Sequence, residues 1–360
     1  MAKQTFFWCL LVGFVLLGGV ASVEVMLRLF APQPYIYPRY QYSERYGQVL
    51  YPSTVMVAET PGEWRFTYTT SEYGFRAPTV PVSSRYDLPN VVVIGDSYSF
   101  GIGVDDGQEY PAVLAQLLAG QANVVNLGVP GYGLTQEIRL YYEFGRSFEP
   151  AIVLLQFSNN DPDDNLFYRV TDIEDGRFVF RRDRSVSPFL QSLKNFLGRS
   201  IIQRSQAYNF VRNIAYETVR ERAVVRALDQ GTNAAERART DGREEFHNAL
   251  LELFVQDLGR RGIEVVLIGV DGHLAQFPRV LAKVEELARR GLLTYVATEP
   301  WFRSVSAYAS PEGHQWGVKA NRIVAEQLAP RLAKILAAPA EGSLGAAAAF
   351  GSGAPACPEP

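Results

Sequence analysis

Residues 91–100, VVVIGDSYSF, place four β-branched apolar residues directly before a glycine, an acid and a serine. A short apolar run that ends in turn residues predicts a buried strand. Ser97 then falls where the strand stops and a polar, glycine-rich turn begins, which is where an α/β sheet presents a nucleophile. Working outward, similar runs recur at 123–128 (NVVNLG), 151–157 (AIVLLQF), 263–270 (IEVVLIGV) and 292–298 (LLTYVAT). Between and after them lie segments with a helical period: 110–120, 135–144, 244–262, 277–291 and 317–336. Continuous apolar strands alternating with helices predict a three-layer α/β/α sandwich around a five-stranded parallel sheet, covered on both faces.

The rest of the chain is arranged around that domain, taken as 90–338. Residues 4–23, QTFFWCLLVGFVLLGGVASV, carry no charge. As a helix they span about 30 Å, one bilayer. A transmembrane anchor or a signal peptide over 1–30 follows. Gly19-Val20-Ala21 offers a cleavage site, but EVMLRLF at 24–30 keeps the apolar character going and suits an uncleaved anchor. A soluble cytoplasmic protein with this helix in its core is disfavoured by the length of the uncharged run. The expected location is membrane-anchored and extracytoplasmic. Residues 31–89 are rich in Tyr, Pro and Thr, with strand-like pieces such as EWRFTYTT (63–70), and are read as a wrapping segment.

Residues 166–230 break the alternation. RVTDIEDGRFVFRR (169–182) predicts a hairpin turning at Asp175-Gly176, and 187–228 predict amphipathic helices, together read as an insertion over the active face. The tail 339–360 is low in complexity and is expected to be disordered. Cys9 and Cys357 lie in the apolar run and in the tail, so neither staples a core. A net charge of -3 and the absence of a basic stripe or DNA-binding motif argue against a nucleic-acid partner. FGIGVDDG (100–107) lacks both GxGxxG and a Walker lysine, so no nucleotide loop is read there.

Ser97, Gly131 in NLGVPGYG (126–133) and Asn160 in AIVLLQFSNND (151–161) follow the first three strands, so all three are expected on one rim. His314 in SPEGHQWG (310–317) precedes the last helix, which can return it there. A serine hydroxyl needs a base to take its proton, and imidazole is suited to that. The oxyanion formed on attack needs fixed N–H donors; the backbone of Ser97 and Gly131 with the amide of Asn160 meets that need. These blocks, with SEYGFRAP at 71–78, resemble the SGNH (GDSL) hydrolases of the membrane-anchored bacterial type, over about 71–165 and 262–328.

The resemblance implies a flavodoxin-like SGNH fold and attack by Ser97 on an acyl ester, such as an O-acetyl group of an envelope glycan or a lipid ester. It also implies His314 as base and an oxyanion hole of Ser97, Gly131 and Asn160. No cofactor or metal is implied. The family's acid lies three residues before the histidine, where this chain has Pro311; the nearest carboxylate is Glu312. Two arrangements stay open: Glu312 turned back onto Nδ1 of His314, or a backbone carbonyl orienting the ring of a Ser-His dyad. A degenerate glycan- or partner-binding module and an O-acyltransferase accessory are the alternative functions.

Competing readings accompany each residue. Ser97 alone is a helix cap, and Asn159 competes with Asn160. His273, beside Asp271, is the rival base. His247 reads as a solvated helix residue, and Arg76 as a structural ion pair. Asp161, Asp163 and Asp164 read as loop capping rather than a cation site.

Overall fold

The computed structural model describes residues 2–78, 88–183, 187–229, 237–306, 309–311, 313 and 316–337. It begins with one long helix, α1 (Ala2–Phe30). Five short strands follow: β1 (Tyr35–Tyr37), β2 (Gln41–Ser43), β3 (Gly47–Val49), β4 (Val55–Thr60) and β5 (Trp64–Thr69). The alternating part runs β6 (Asn90–Ile94), α2 (Ser97–Phe100), α3 (Tyr110–Leu117), β7 (Asn123–Asn126), α4 (Leu134–Glu143), β8 (Pro150–Phe157) and α5 (Asp161–Phe167). A hairpin of β9 (Thr171–Glu174) and β10 (Arg177–Phe180) and the helices α6 (Pro188–Gly198) and α7 (Gln206–Asp229) interrupt it. The alternation resumes with α8 (Arg237–Arg260), β11 (Glu264–Gly269), α9 (Pro278–Arg289), β12 (Thr294–Ala297), α10 (Glu299–Phe302) and α11 (Val318–Ala337).

The five expected strands form one sheet in the order β12-β11-β8-β6-β7, with every neighbouring pair parallel. Side chains alternate between its faces, so each strand feeds two cores. Val92, Ile94, Val153 and Leu155 pack beneath α4, α8 and α9. Val91, Val93, Ile152 and Leu154 pack beneath α3 and α11. Because both faces are covered, the middles of these strands carry apolar residues at consecutive positions rather than at every second one. Chain order reverses between β7 and β8 on either side of β6. This is the switch point at which open α/β sheets bind ligands beyond their carboxyl ends.

Asp175 (φ 49°) and Gly176 (φ 70°) both adopt left-handed backbone between β9 and β10, the geometry a two-residue hairpin turn requires. In the stretch before the sheet, β4 pairs with β1 and β5. Tyr68 of β5 meets the ring of Phe100 edge-on at 5.3 Å, holding that layer against α2. No part of the apolar window of α1 is buried, so α1 is not a core helix. It is long and apolar enough to cross a membrane.

Candidate active site

Ser97 is the first residue of α2, at the carboxyl end of β6, which lies between β8 and the edge strand β7. Asp96 caps that helix, its Oδ1 accepting the N–H of Tyr98 at 3.0 Å. Gly95 makes the turn possible, since a Cβ there would lie 2.6 Å from Oε1 of Gln156. That oxygen accepts the N–H of Asp96 at 3.1 Å, the N–H of Ser99 at 3.3 Å and the hydroxyl of Ser99 at 3.1 Å. Gln156 of β8 therefore props the serine turn from the neighbouring strand. It is a lone amide in an apolar strand, and that was the signal by which sequence reading could have found it.

The loops after β7 and β8 close on the same turn. Val129 donates its N–H to the carbonyl of Gly95 at 3.0 Å, carrying the chain to Gly131. Gly131 has φ +75°, and a Cβ on it would sit 3.0 Å from Nε2 of Gln48. Gln48 holds this loop by donating to the carbonyl of Pro130 at 2.8 Å. On the other side, the Ser158 hydroxyl lies 2.6 Å from Oδ2 of Asp96 and 3.2 Å from Oδ1 of Asp161; it also meets Oδ1 of Asn160. Asn160 donates from Nδ2 to Oδ2 of Asp164 at 2.6 Å. An amide NH2 has two donors, and Asn160 also hydrogen-bonds the Asp96 carboxyl, so its amide stands between the two acids. Asn159, the competitor, is exposed and uses its backbone N–H on Nδ1 of His273 at 3.2 Å.

The structure thus brings Ser97, Gly131 and Asn160 to one rim at the switch point. His314 and Glu312 lie outside the described residues. Two positions on from His314, Trp316 is buried and donates from Nε1 to Oδ1 of Asp271 at 3.0 Å. Its ring meets Tyr98 edge-on at 5.0 Å, fixing the start of the last helix beside α2. Asp271 is therefore occupied with Trp316 and Thr298.

His273 is buried, and burial holds its pKa below the ordinary imidazole value. A neutral ring whose Nδ1 accepts from Asn159 carries its proton on Nε2. In that tautomer it has no free lone pair with which to act as a base.

His247 is not a solvated helix residue. It is buried, its Nδ1 lies 3.0 Å from Nδ2 of Asn165, and its ring meets Phe157 edge-on at 5.2 Å. Its charged neighbours in sequence are misleading, because the helical period groups it with Leu250, Leu251 and Phe254 on the buried face. Burial pushes its pKa down to about 3.

Arg76 has the structural use expected of it. It is buried, donates to the carbonyls of Phe100 and Gly101, both at 2.8 Å, and pairs with Asp106 at 3.1 Å. The aspartates after β8 have protein partners too. Asp161 accepts the N–H of Ser158 at 3.2 Å, and Asp163 pairs with Arg243 at 2.8 Å.

Sequence reading missed a buried acid on α4, Glu137. Among the described residues, neither of its carboxylate oxygens has a hydrogen-bond partner. Burial, together with the nearby Asp96 and Asp164, pushes its pKa well above the ordinary carboxylate range. Asp161 and Asp96 are raised as well, chiefly by burial. The floor of the site is therefore acidic in composition, and burial favours the protonated form of each of these acids.

No family model matches this chain, and no curated protein matches it. Solved structures that overlap it include TesA, at 16% identity and a TM-score of 0.39, covering 68% of this chain and 99% of that one. An inhibitor-bound aryl esterase from M. smegmatis overlaps at 11% identity and a TM-score of 0.35, covering 69% and 99%. A carbohydrate acetylesterase family member from Sinorhizobium meliloti overlaps at 14% identity and a TM-score of 0.34, again covering 69% and 99%. The α/β/α fold itself stands on the strand order and register described above.

Proposed function

We propose that the chain is a serine esterase or acyl hydrolase, anchored in a membrane with its body outside the cytoplasm. The observation that carries this reading is the convergence of Ser97, Gly131 and Asn160 at the sheet's switch point, the first and last joined through Asp96 and Ser158 and the Gly131 loop through Val129 and Gly95. Ser97 Oγ attacks the ester carbonyl carbon while His314 takes the hydroxyl proton. The carbonyl oxygen, now an oxyanion, accepts the backbone N–H groups of Ser97 and Gly131 and an amide N–H of Asn160. Collapse of the tetrahedral intermediate expels the alcohol, which takes its proton from His314. Water, activated by the same imidazole, then releases the acid and restores the serine. An acceptor hydroxyl in place of that water turns the same step into acyl transfer. Glu312 or a backbone carbonyl orients the imidazole.

The full-length chain in detergent is tested with a fluorophosphonate, which reacts only with an activated serine. Covalent labelling that disappears in Ser97→Ala and His314→Ala supports the reading. Absence of labelling, with binding of an envelope glycan retained, assigns the chain instead to the degenerate binding class that Pro311 suggests.

A further inference from the structure

The insertion carries an apolar surface that the core does not use. Phe189 and Phe196 of α6 are 75% and 77% exposed, and Val211 of α7 is 65% exposed. Ile201, between the two helices, is 77% exposed. Soluble surfaces rarely gather large apolar side chains in this way.

What covers this surface follows from where α1 meets it. If the uncharged stretch 4–23 fills the roughly 30 Å hydrocarbon layer, Glu24 and Arg28 stand at its boundary with the headgroups. These are the residues that grip the insertion. Glu24 accepts the hydroxyl of Ser205 and the N–H of Ala207, both at 2.9 Å. Arg28 donates to the carbonyl of Arg204 at 3.3 Å. The start of α7 is thereby pinned at the depth where α1 leaves the bilayer.

The same junction has the side chains of an interface. The Arg204 guanidinium lies 4.4 Å from the centre of the Tyr37 ring, and that of Arg199 lies 4.3 Å from the centre of the Tyr51 ring. Cationic heads on apolar stems beside tyrosines mark headgroup depth.

We infer that α6 and α7 form a second membrane contact, lying in the surface of the bilayer that holds α1 with Phe189, Phe196, Ile201 and Val211 immersed among the acyl chains. The inference rests on α1 being a membrane anchor. Because α7 also packs on α5, which begins directly after Asn160, the immersed surface is mechanically joined to the candidate site.

The test uses the full chain in vesicles of phosphatidylcholine with a minority of phosphatidylglycerol. Bimane is placed on single cysteines, Phe196→Cys or Val211→Cys, in a Cys9→Ser, Cys357→Ser background. Leu117→Cys, exposed on α3 across the sheet from α8, is the aqueous reference, and native Cys9 labelled in a Cys357→Ser chain reports the anchor. Quenching by doxyl-labelled lipid is expected to be several-fold greater at 196 and 211 than at 117, with iodide quenching reduced in proportion. If 196 and 211 behave like 117 while Cys9 remains lipid-quenched, the second contact is wrong and the anchor stands. If Cys9 is itself iodide-accessible, the anchor reading fails and takes the inference with it. Protection from both quenchers, with chains cross-linking through residue 196, overturns the inference in favour of a second copy of the chain.

Discussion

The hydroxyl of Ser158 lies 2.6 Å from Oδ2 of Asp96, joining the turn that carries Ser97 to the loop that carries Asn160. Asp96 is fully buried, so this contact cannot be replaced readily by bulk water. Ser158→Ala removes it while leaving all three residues assigned to the chemistry in place. The expected cost in stability is about 1–2 kcal/mol, that of one buried hydrogen bond and the partner it leaves unmet. Loss of alignment between Ser97 and Asn160 is expected to lower kcat about 10- to 100-fold, with KM little changed. Steady-state kinetics on a p-nitrophenyl ester separate the two parameters. An unchanged kcat would show that this link does not position the oxyanion donors.

Gly131 offers a test from the other side of the site. Its φ of +75° is left-handed, and a Cβ would stand 3.0 Å from Nε2 of Gln48. Gly131→Ala combines about 1–2 kcal/mol of backbone strain with a push on the side chain that steadies the loop. The strain stays in a Gly131→Ala, Gln48→Ala double variant, so relieving the contact alone is not expected to restore kcat. Full recovery in the double variant would mean that crowding, and not backbone conformation, is what the glycine avoids.

The sheet and the rim were legible because each rests on a local signal. Strands buried on both faces read as unbroken apolar runs, and Ser97, Gly131 and Asn160 each follow one such run. Glu137 and His247 were not legible, because their burial is set by which helices pack together: α4 and α8 bury faces that their local sequence makes look polar. Gln156 lay within a run that was read for hydrophobicity alone, and its amide matters only once β6 lies alongside β8. The exposed phenylalanines of α6 show the converse case. The helical period over this segment matches the helix found there, but period alone does not say whether an apolar face is covered by the core or left exposed.

Glu137 predicts a pH dependence of definite sign. Its folded-state pKa is raised by burial, so its contribution is fully present below the unfolded value near 4.5 and is lost as pH rises towards the folded value. Glu137→Gln cannot ionise and removes that loss. The variant is expected to gain on the natural chain as pH rises above the unfolded value, the gain levelling off only once the raised folded value is passed. Urea unfolding in detergent from about pH 5 to pH 8 reads the difference. A difference that does not change with pH would place the carboxylate in contact with water.

His247 acts with the opposite sign. Oδ1 of Asn165 accepts the N–H of Thr135 at 2.9 Å, so it is the NH2 group of Asn165 that faces Nδ1 of the imidazole at 3.0 Å. Nδ1 must therefore accept, and protonating it would set donor against donor in a buried space. With the pKa depressed to about 3 by burial, the neutral ring's contribution is fully present above the unfolded value near 6.5. It is lost as pH falls towards the folded value, at about 1.4 kcal/mol per pH unit once the unfolded histidine is charged. Between pH 6.5 and 5.0 the natural chain should therefore lose about 2 kcal/mol that His247→Gln does not lose. Gln retains a carbonyl acceptor for Asn165 and cannot take up a proton. Parallel unfolding curves for the two chains at pH 7.5 and 5.0 check this, and equal acid losses would show that His247 is protonated in the folded protein without penalty.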